Sequence, residues 1–413
     1  MAHSRSRILI IGGGFGGVFT ALDIAGAGDV TVISTEDHFL FTPMLYEYLS
    51  GEVEAWHIAP YYKELFDNSV RTVQGEVAGI DFKTCEVSLS GREARLGYDV
   101  LVLAPGGITN FWNIEGAEEF AMPFRKLAHA DALRKRMVDA LDKVPPNLAP
   151  QDARRALTFA IVGGGASGVE LSTKMADLLR DAFKRRALRG EPRVMVVEMG
   201  EQVVPGMGEE IRSFVEDALK KSRVDVHTRT RVLAVAKDGL TIEHEGEQTI
   251  IEAAGVVWTA GVRVNPLIEK LDLPKDSRGL VLVEPTLQVK GFENVFACGD
   301  IALYTDVVPT LAGTAQLANQ EATLVASNIK ALLDGRRLHA RHFVELGEAV
   351  SLGTENAAVL AGGQSFSGAM ARRARFALYT ARLPTWHHRL KVGASWFFEG
   401  TNPRPLKPLG FTR

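Results

Sequence analysis

Two stretches of the chain repeat one another and leave few folds open. Arg7 to Thr20 reads RILIIGGGFGGVFT, and Leu157 to Glu170 reads LTFAIVGGGASGVE. In each, a short apolar run suited to a buried strand leads into three glycines at G-x-G-x-x-G spacing, and helical periodicity follows. The first glycine permits a tight turn, the second lets the backbone approach a pyrophosphate, and the third lets the helix pack closely on the strand. The phosphates then meet free N–H groups at the positive end of that helix. One such match is weak, because glycine-rich turns are common. Two in one chain, each between a strand and a helix, imply two dinucleotides and an α/β fold of two Rossmann-like units.

At 413 residues, 46% of them hydrophobic, the chain can bury a large core divided among two or three domains. A net charge of −3 argues against a general nucleic-acid binder. Cys85 and Cys298 are the only cysteines and lie far apart, so no disulfide framework is implied and a reducing cytoplasm fits. No apolar stretch reaches the roughly 18 residues a spanning helix needs. No separate apolar region precedes the first strand, so no signal peptide is expected. Membrane contact, if any, is therefore expected to be peripheral.

The two units differ at the end of their second strand, where an acid usually holds a ribose diol. In the first, DVTVIS ends at Ser34. Either Glu36, two residues on, replaces the carboxylate, or Ser34 holds the ribose more weakly and Glu36 is merely solvated. In the second, RVMVVE ends at Glu198, beyond a long helix and the RRALRGEPR loop. A carboxylate there accepts from a ribose diol and repels a 2′-phosphate, which favours NADH over NADPH.

Other segments carry weaker signals. HFLFTPMLYEYLSG, from His38 to Gly51, is aromatic enough either to pack a core or to line a flat ring. Val70 to Leu96 alternates as a small antiparallel insert would. YDVLVLAPGG and AGVVWTAGV are similar strand ends, as expected if the second unit is inserted into the first. NVFACGDI places Asp300 at the edge of a strand, where ligands of open α/β sheets collect. Downstream, AQLANQ sets Gln316 and Gln320 on one helix face.

GGGFGG, LFTPMLYE, GGGASGVE, VVWTAGVRVNP, NVFACGD and AQLANQ, in this order and spacing, resemble the type II NADH dehydrogenases. These are single-chain FAD enzymes of the two-dinucleotide-domain flavoproteins. The likeness is close over residues 7–330 and looser beyond. It implies that Gly12, Gly14, Phe15, Gly16 and Gly17 cradle FAD, with Ser34, Glu36, Pro43, Ala104, Gly261, Gly299, Asp300, Ala315 and Gln316 also facing a cofactor. It implies NADH at Gly163, Gly165, Gly168 and Glu198, and Glu170 near the nicotinamide. Tyr46 would run beside the flavin ring, and Gln316 and Gln320 would mark the quinone pocket. Ser34, Thr42 and Pro105 depart from the family's usual acid, glutamine and threonine.

The expected boundaries are 1–115 and 254–340 for an FAD-binding domain, 116–253 for an NADH-binding domain, and 341–413 for a C-terminal region. From Phe366 to Arg413 nine basic residues stand against one acid. Arg372, Arg375, Tyr379 and Arg382 recur at helical spacing, with Met370, Ala374, Ala377 and Ala381 on another face. After Thr385, Trp386, Leu390, Ala394 and Phe397 make an apolar stripe. This pattern describes either an interfacial helix on the cytoplasmic side of the cell membrane, or a helix pair packed in a homodimer interface or on the core. The expected reaction takes hydride from NADH to FAD and two electrons to a quinone. A soluble diaphorase or ferredoxin-type reductase is the alternative enzyme, and a redox-sensing flavoprotein resembling apoptosis-inducing factor the alternative class.

Overall fold

The computed structural model describes residues 5–304, 313–344 and 346–406. Its frame is two five-stranded parallel sheets. The first runs in the order Val295–Ala297, Val100–Leu103, Arg7–Ile11, Asp29–Ser34, Arg71–Gln74. The second runs Asp225–His227, Arg193–Val197, Thr158–Val162, Gly255–Trp258, Met122–Pro123. Central strands such as Thr158–Val162 and Val100–Leu103 are buried on both faces, which is why they read as unbroken apolar runs. The glycine helices follow at once, over Phe15–Asp23 and Ala166–Arg185. The third glycine of each motif has no room for a side chain: a Cβ on Gly17 would lie 1.8 Å from the Gly12 carbonyl oxygen, and one on Gly168 would lie 1.9 Å from that of Gly163.

The chain passes between the sheets twice, and the two passages pair with each other. Gly107–Thr109 and Val262–Val264 form an antiparallel ladder. The Trp258 indole also donates to the Asn110 carbonyl at 2.8 Å, and the Trp112 indole to that of Ala260 at 2.9 Å.

Three features depart from the sequence reading. Of the presumed insert from Val70 to Leu96, Arg71–Gln74 is the edge strand of the first parallel sheet, and only Val77 onward is antiparallel. An edge strand is covered unevenly, so it alternates as an antiparallel one does. Before the C-terminal helices, an unanticipated three-stranded antiparallel sheet spans Glu348–Ser351, Ala357–Ala361 and Gln364–Gly368.

The third concerns the helix Ala369–Ala381, whose faces are reversed. Arg375 and Tyr379 are buried, and Arg372 is half-buried in an ion pair, while Met370, Ala377 and Ala381 lie outside. Buried acids on neighbouring segments, which no local pattern reveals, draw the arginines inward. On the last helix, Trp386–Glu399, His388 and Val392 face the protein. Its expected stripe of Trp386, Leu390, Ala394 and Phe397 is exposed, so core packing is excluded for that face.

Candidate active site

One large cavity, of about 2000 Å³, lies where the two sheets meet. Gly12, Gly13 and Gly14 wall it from the first unit, and Ala166, Ser167 and Glu170, from the first turn and a half of the second glycine helix, wall it opposite. Neither glycine helix has a side-chain cap. A Cβ at Gly14 or Gly165 would meet nothing within 4 Å. The first-turn N–H groups are therefore open to a phosphate, and among the described residues no side chain satisfies them. These two cradles fit the pyrophosphates of FAD and a pyridine dinucleotide.

At the first strand end, Ser34 Oγ accepts the Glu36 N–H at 3.2 Å and lies 3.2 Å from the Tyr62 hydroxyl, which donates to the Gly13 carbonyl at 2.9 Å. Glu36 lines the cavity but pairs with Lys126 at 2.6 Å. The carboxylate is present, neutralised by an ammonium. At the second strand end, Glu198 accepts from Gly164 N at 2.6 Å and Gly200 N at 2.7 Å, shaping the loop around the glycines.

The aromatic segment divides by residue. Phe39 and Phe41 are buried against Phe15, whose ring centroids stand 5.1 and 5.4 Å away, while Thr42, Pro43 and Tyr46 line the cavity. Core and cavity residues alternate along the start of the segment. Pro105 lines the cavity beside Ala104, as do Gly16, Gly261, Gly299 and Ala315. Asp300 does too; its Oδ2 accepts from Gly107 N at 3.2 Å and lies 3.5 Å from Arg125. Cys298 is buried and unpaired, and burial pushes its thiol well up, as expected of a small core residue.

The glutamine pair is less direct. Gln320 is engaged with Val344, donating to its carbonyl at 3.0 Å and accepting from its N–H at 2.9 Å. Gln316 Nε2 is buried without a partner among the described residues. Neither side chain is among those walling the cavity, although Ala315, Leu317 and Ala318 of the same helix, Ala315–Leu333, are.

Glu170 is the carboxylate the cavity shares with the interior. Its Oε1 accepts from Arg375 Nη2 at 2.9 Å and from Ser351 N at 2.8 Å. Burial pushes this carboxyl up, Arg375 pulls it down and Glu47 raises it again, for a net pKa of about 7. Glu47, Lys174, Arg375, Arg125 and Tyr62 are site residues that sequence reasoning missed. A usable signal existed for one: Lys174 stands four residues after Glu170 on the same face of a helix whose neighbours are apolar.

A family model described as pyridine nucleotide-disulphide oxidoreductase matches residues 6–322. The chain is 36% identical to a demethylphylloquinone reductase, NdbB, of Synechocystis, over 96% of each chain. It is 31% identical to the type II NADH:quinone oxidoreductase NdhA of Mycobacterium tuberculosis, over 95% of this chain and 86% of that one. A solved structure of NDH2 from Plasmodium falciparum in complex with NADH shares the fold, with a TM-score of 0.85 at 20% identity over 98% of this chain and all of the other. With both glycine units contributing to the wall of one cavity, the chain belongs to the pyridine nucleotide-disulphide oxidoreductases and, within them, to the type II NADH:quinone oxidoreductases.

Proposed function

We propose that this chain takes hydride from NADH onto FAD and passes two electrons to a quinone, without proton pumping, at a membrane surface. The observation that carries this reading is that both glycine units wall one cavity, so that two dinucleotides bound there would meet. When bound, FAD supplies the hydride acceptor and the two-electron store. Gly12, Gly14 and Gly17 let the first loop approach its pyrophosphate, and Asp300, fixed by Gly107 N, faces the remainder of the same group. Gly163, Gly165 and Gly168 do the same for NADH, with Glu198 excluding a 2′-phosphate. Pro43 and Tyr46 form a wall for the flat ring, and Glu170 exchanges a proton near neutral pH. By the family likeness, Gln316 and Gln320 mark the acceptor end at the start of their helix, where Ala315, Leu317 and Ala318 wall the cavity. We assign 1–115 and 254–340 to the FAD domain, 116–253 to the NADH domain and 341–413 to a docking region.

The exposed stripe supports the membrane surface. Trp386, Leu390 and Phe397 are 61%, 64% and 82% exposed, beside Arg389 and Lys391 on the same helix. Aromatic and apolar residues interleaved with cations suit an anionic leaflet, here the cytoplasmic one. Among the described residues no helix is long and apolar enough to cross a membrane. The test is replacement of Trp386, Leu390 and Phe397 by serine in the full chain. Loss of binding to anionic vesicles, with reduction of a short-chain quinone retained, is expected. Unchanged vesicle binding contradicts the membrane reading, and conversion of a dimer to a monomer assigns the stripe to a second copy.

A further inference from the structure

Beside the cavity, six buried or half-buried charges meet from three separate parts of the chain. Glu47 and Glu52 come from the helix Leu45–Ser50 and the turn after it, Glu170 and Lys174 from the second glycine helix, and Arg372 and Arg375 from the C-terminal helix. Lys174 pairs with Glu52 and lies 3.3 Å from Glu47, and Arg372 reaches Glu52 at 2.7 Å. The cluster is balanced, three acids against three bases, when Glu170 is ionised.

A guanidinium facing a single carboxylate grips it with two parallel bonds. Arg375 instead divides its arms. Nη1 donates to Glu47 Oε1 at 2.8 Å, and Nη2 to Glu170 Oε1 at 2.9 Å and to the Pro43 carbonyl at 2.8 Å. Burial would push Glu47 up, but the charges of Arg375 and Lys174 outweigh it and hold this carboxyl below the usual range. It therefore stays ionised and keeps its arm of Arg375. Glu170 receives one guanidinium bond and the Ser351 N–H, both on Oε1, and no described residue bonds its Oε2. Also facing Glu170 are Tyr46 beside Glu47, Tyr379 on the C-terminal helix, and Lys174 on its own helix. Burial raises both tyrosines and keeps them neutral.

We propose that Glu47 is a positioning residue: by holding one arm of Arg375 it limits Glu170 to a single guanidinium bond and leaves Glu170 Oε2 able to take and release a proton at the cavity. Without Glu47 the guanidinium turns both arms to Glu170 and fixes it as a carboxylate.

The inference rests on the reading of Glu170 as the proton-exchanging group, so the test reads Glu170 and turnover separately. In the flavin-loaded full chain, the protonated-carboxyl band of Glu170 is titrated by difference infrared spectroscopy and assigned by its loss in Glu170→Gln. Glu47→Gln is expected to lower the midpoint by a pH unit or more, a tenfold or greater loss of proton affinity. Glu47→Asp keeps the charge but draws it back by one methylene, and its midpoint should fall less; it decides the matter where Glu47→Gln does not fold. An unchanged midpoint in a folded, flavin-loaded variant overturns the proposal. The pH profile of flavin reoxidation by a short-chain quinone should move with the band. A band that moves while the profile stays supports the role of Glu47 and removes Glu170 from the turnover step.

Discussion

The two glycine units are nearly superposable in design and differ in their surroundings. Each has a parallel strand, an uncapped helix and a third glycine jammed against the first. The first is braced from another segment: Tyr62 closes over Gly13, where a Cβ would lie 1.8 Å from the phenol oxygen, and Glu36 is tied to Lys126. The second is braced by Glu198 at its own strand end, and none of its three motif glycines walls the cavity. Exposure of the motif does not separate them, since Gly14 and Gly165 are both exposed. Position does: the first loop is itself cavity wall, as suits a group that stays, and the second stands beside the cavity, as suits one that comes and goes with each turnover.

The largest effect should come from the third glycines. Gly17→Ala drives a methyl group into a backbone carbonyl and should yield protein without bound flavin. Gly168→Ala should keep its yellow colour yet fail to bleach with NADH. Absorption spectra before and after NADH read both, and exchanged phenotypes would break the comparison. Next is Arg375→Met, which strands Glu47 and Glu170 where the units meet. Losing one partner of a buried ion pair costs about 3–5 kcal/mol, so denaturant unfolding should show a loss of that order.

Glu198→Ala should touch only the second cradle. Removing a charged hydrogen-bonding group is worth about 1.5–3 kcal/mol, so KM for NADH should rise roughly 10- to 100-fold while flavin content is unchanged. Discrimination against NADPH should fall in the same variant. A smaller effect concerns pH. Glu170 binds its proton more tightly folded, at about 7, than at its ordinary value of 4.5. Its contribution to stability is therefore full below 4.5 and shrinks as pH rises through 7. Glu170→Gln should flatten the stability curve across that window, and an unaltered slope would show that Glu170 does not titrate there. Smallest is Lys126→Ala, since an exposed pair contributes at most about 1 kcal/mol. Flavin affinity, measured by fluorescence on reconstituting apoprotein, should change less than about tenfold.

Much of this was legible because it is local. Gly12 to Gly17 and Gly163 to Gly168 announce their turns in three residues, and Thr158–Val162 is apolar because both its faces are covered. The C-terminal helix misled for the opposite reason. Arg375 reads as a surface residue until Glu47 and Glu170, 328 and 205 positions away, are placed beside it. The sheet from Glu348 to Gly368 was missed because its strands are short and rich in Ala, Ser and Gly, carrying little β-branched signal. Glu36 was visible as an acid, but its neutralisation by Lys126, 90 residues on, was not.

The nicotinamide and flavin rings must meet in one cavity, and anaerobic spectroscopy of the purified full chain is the decisive check. Added NADH should bleach the bound flavin, and a short-chain quinone added afterwards should restore the oxidised spectrum. A chain that purifies without chromophore and takes up no FAD, or one whose flavin stays oxidised in excess NADH, would contradict it.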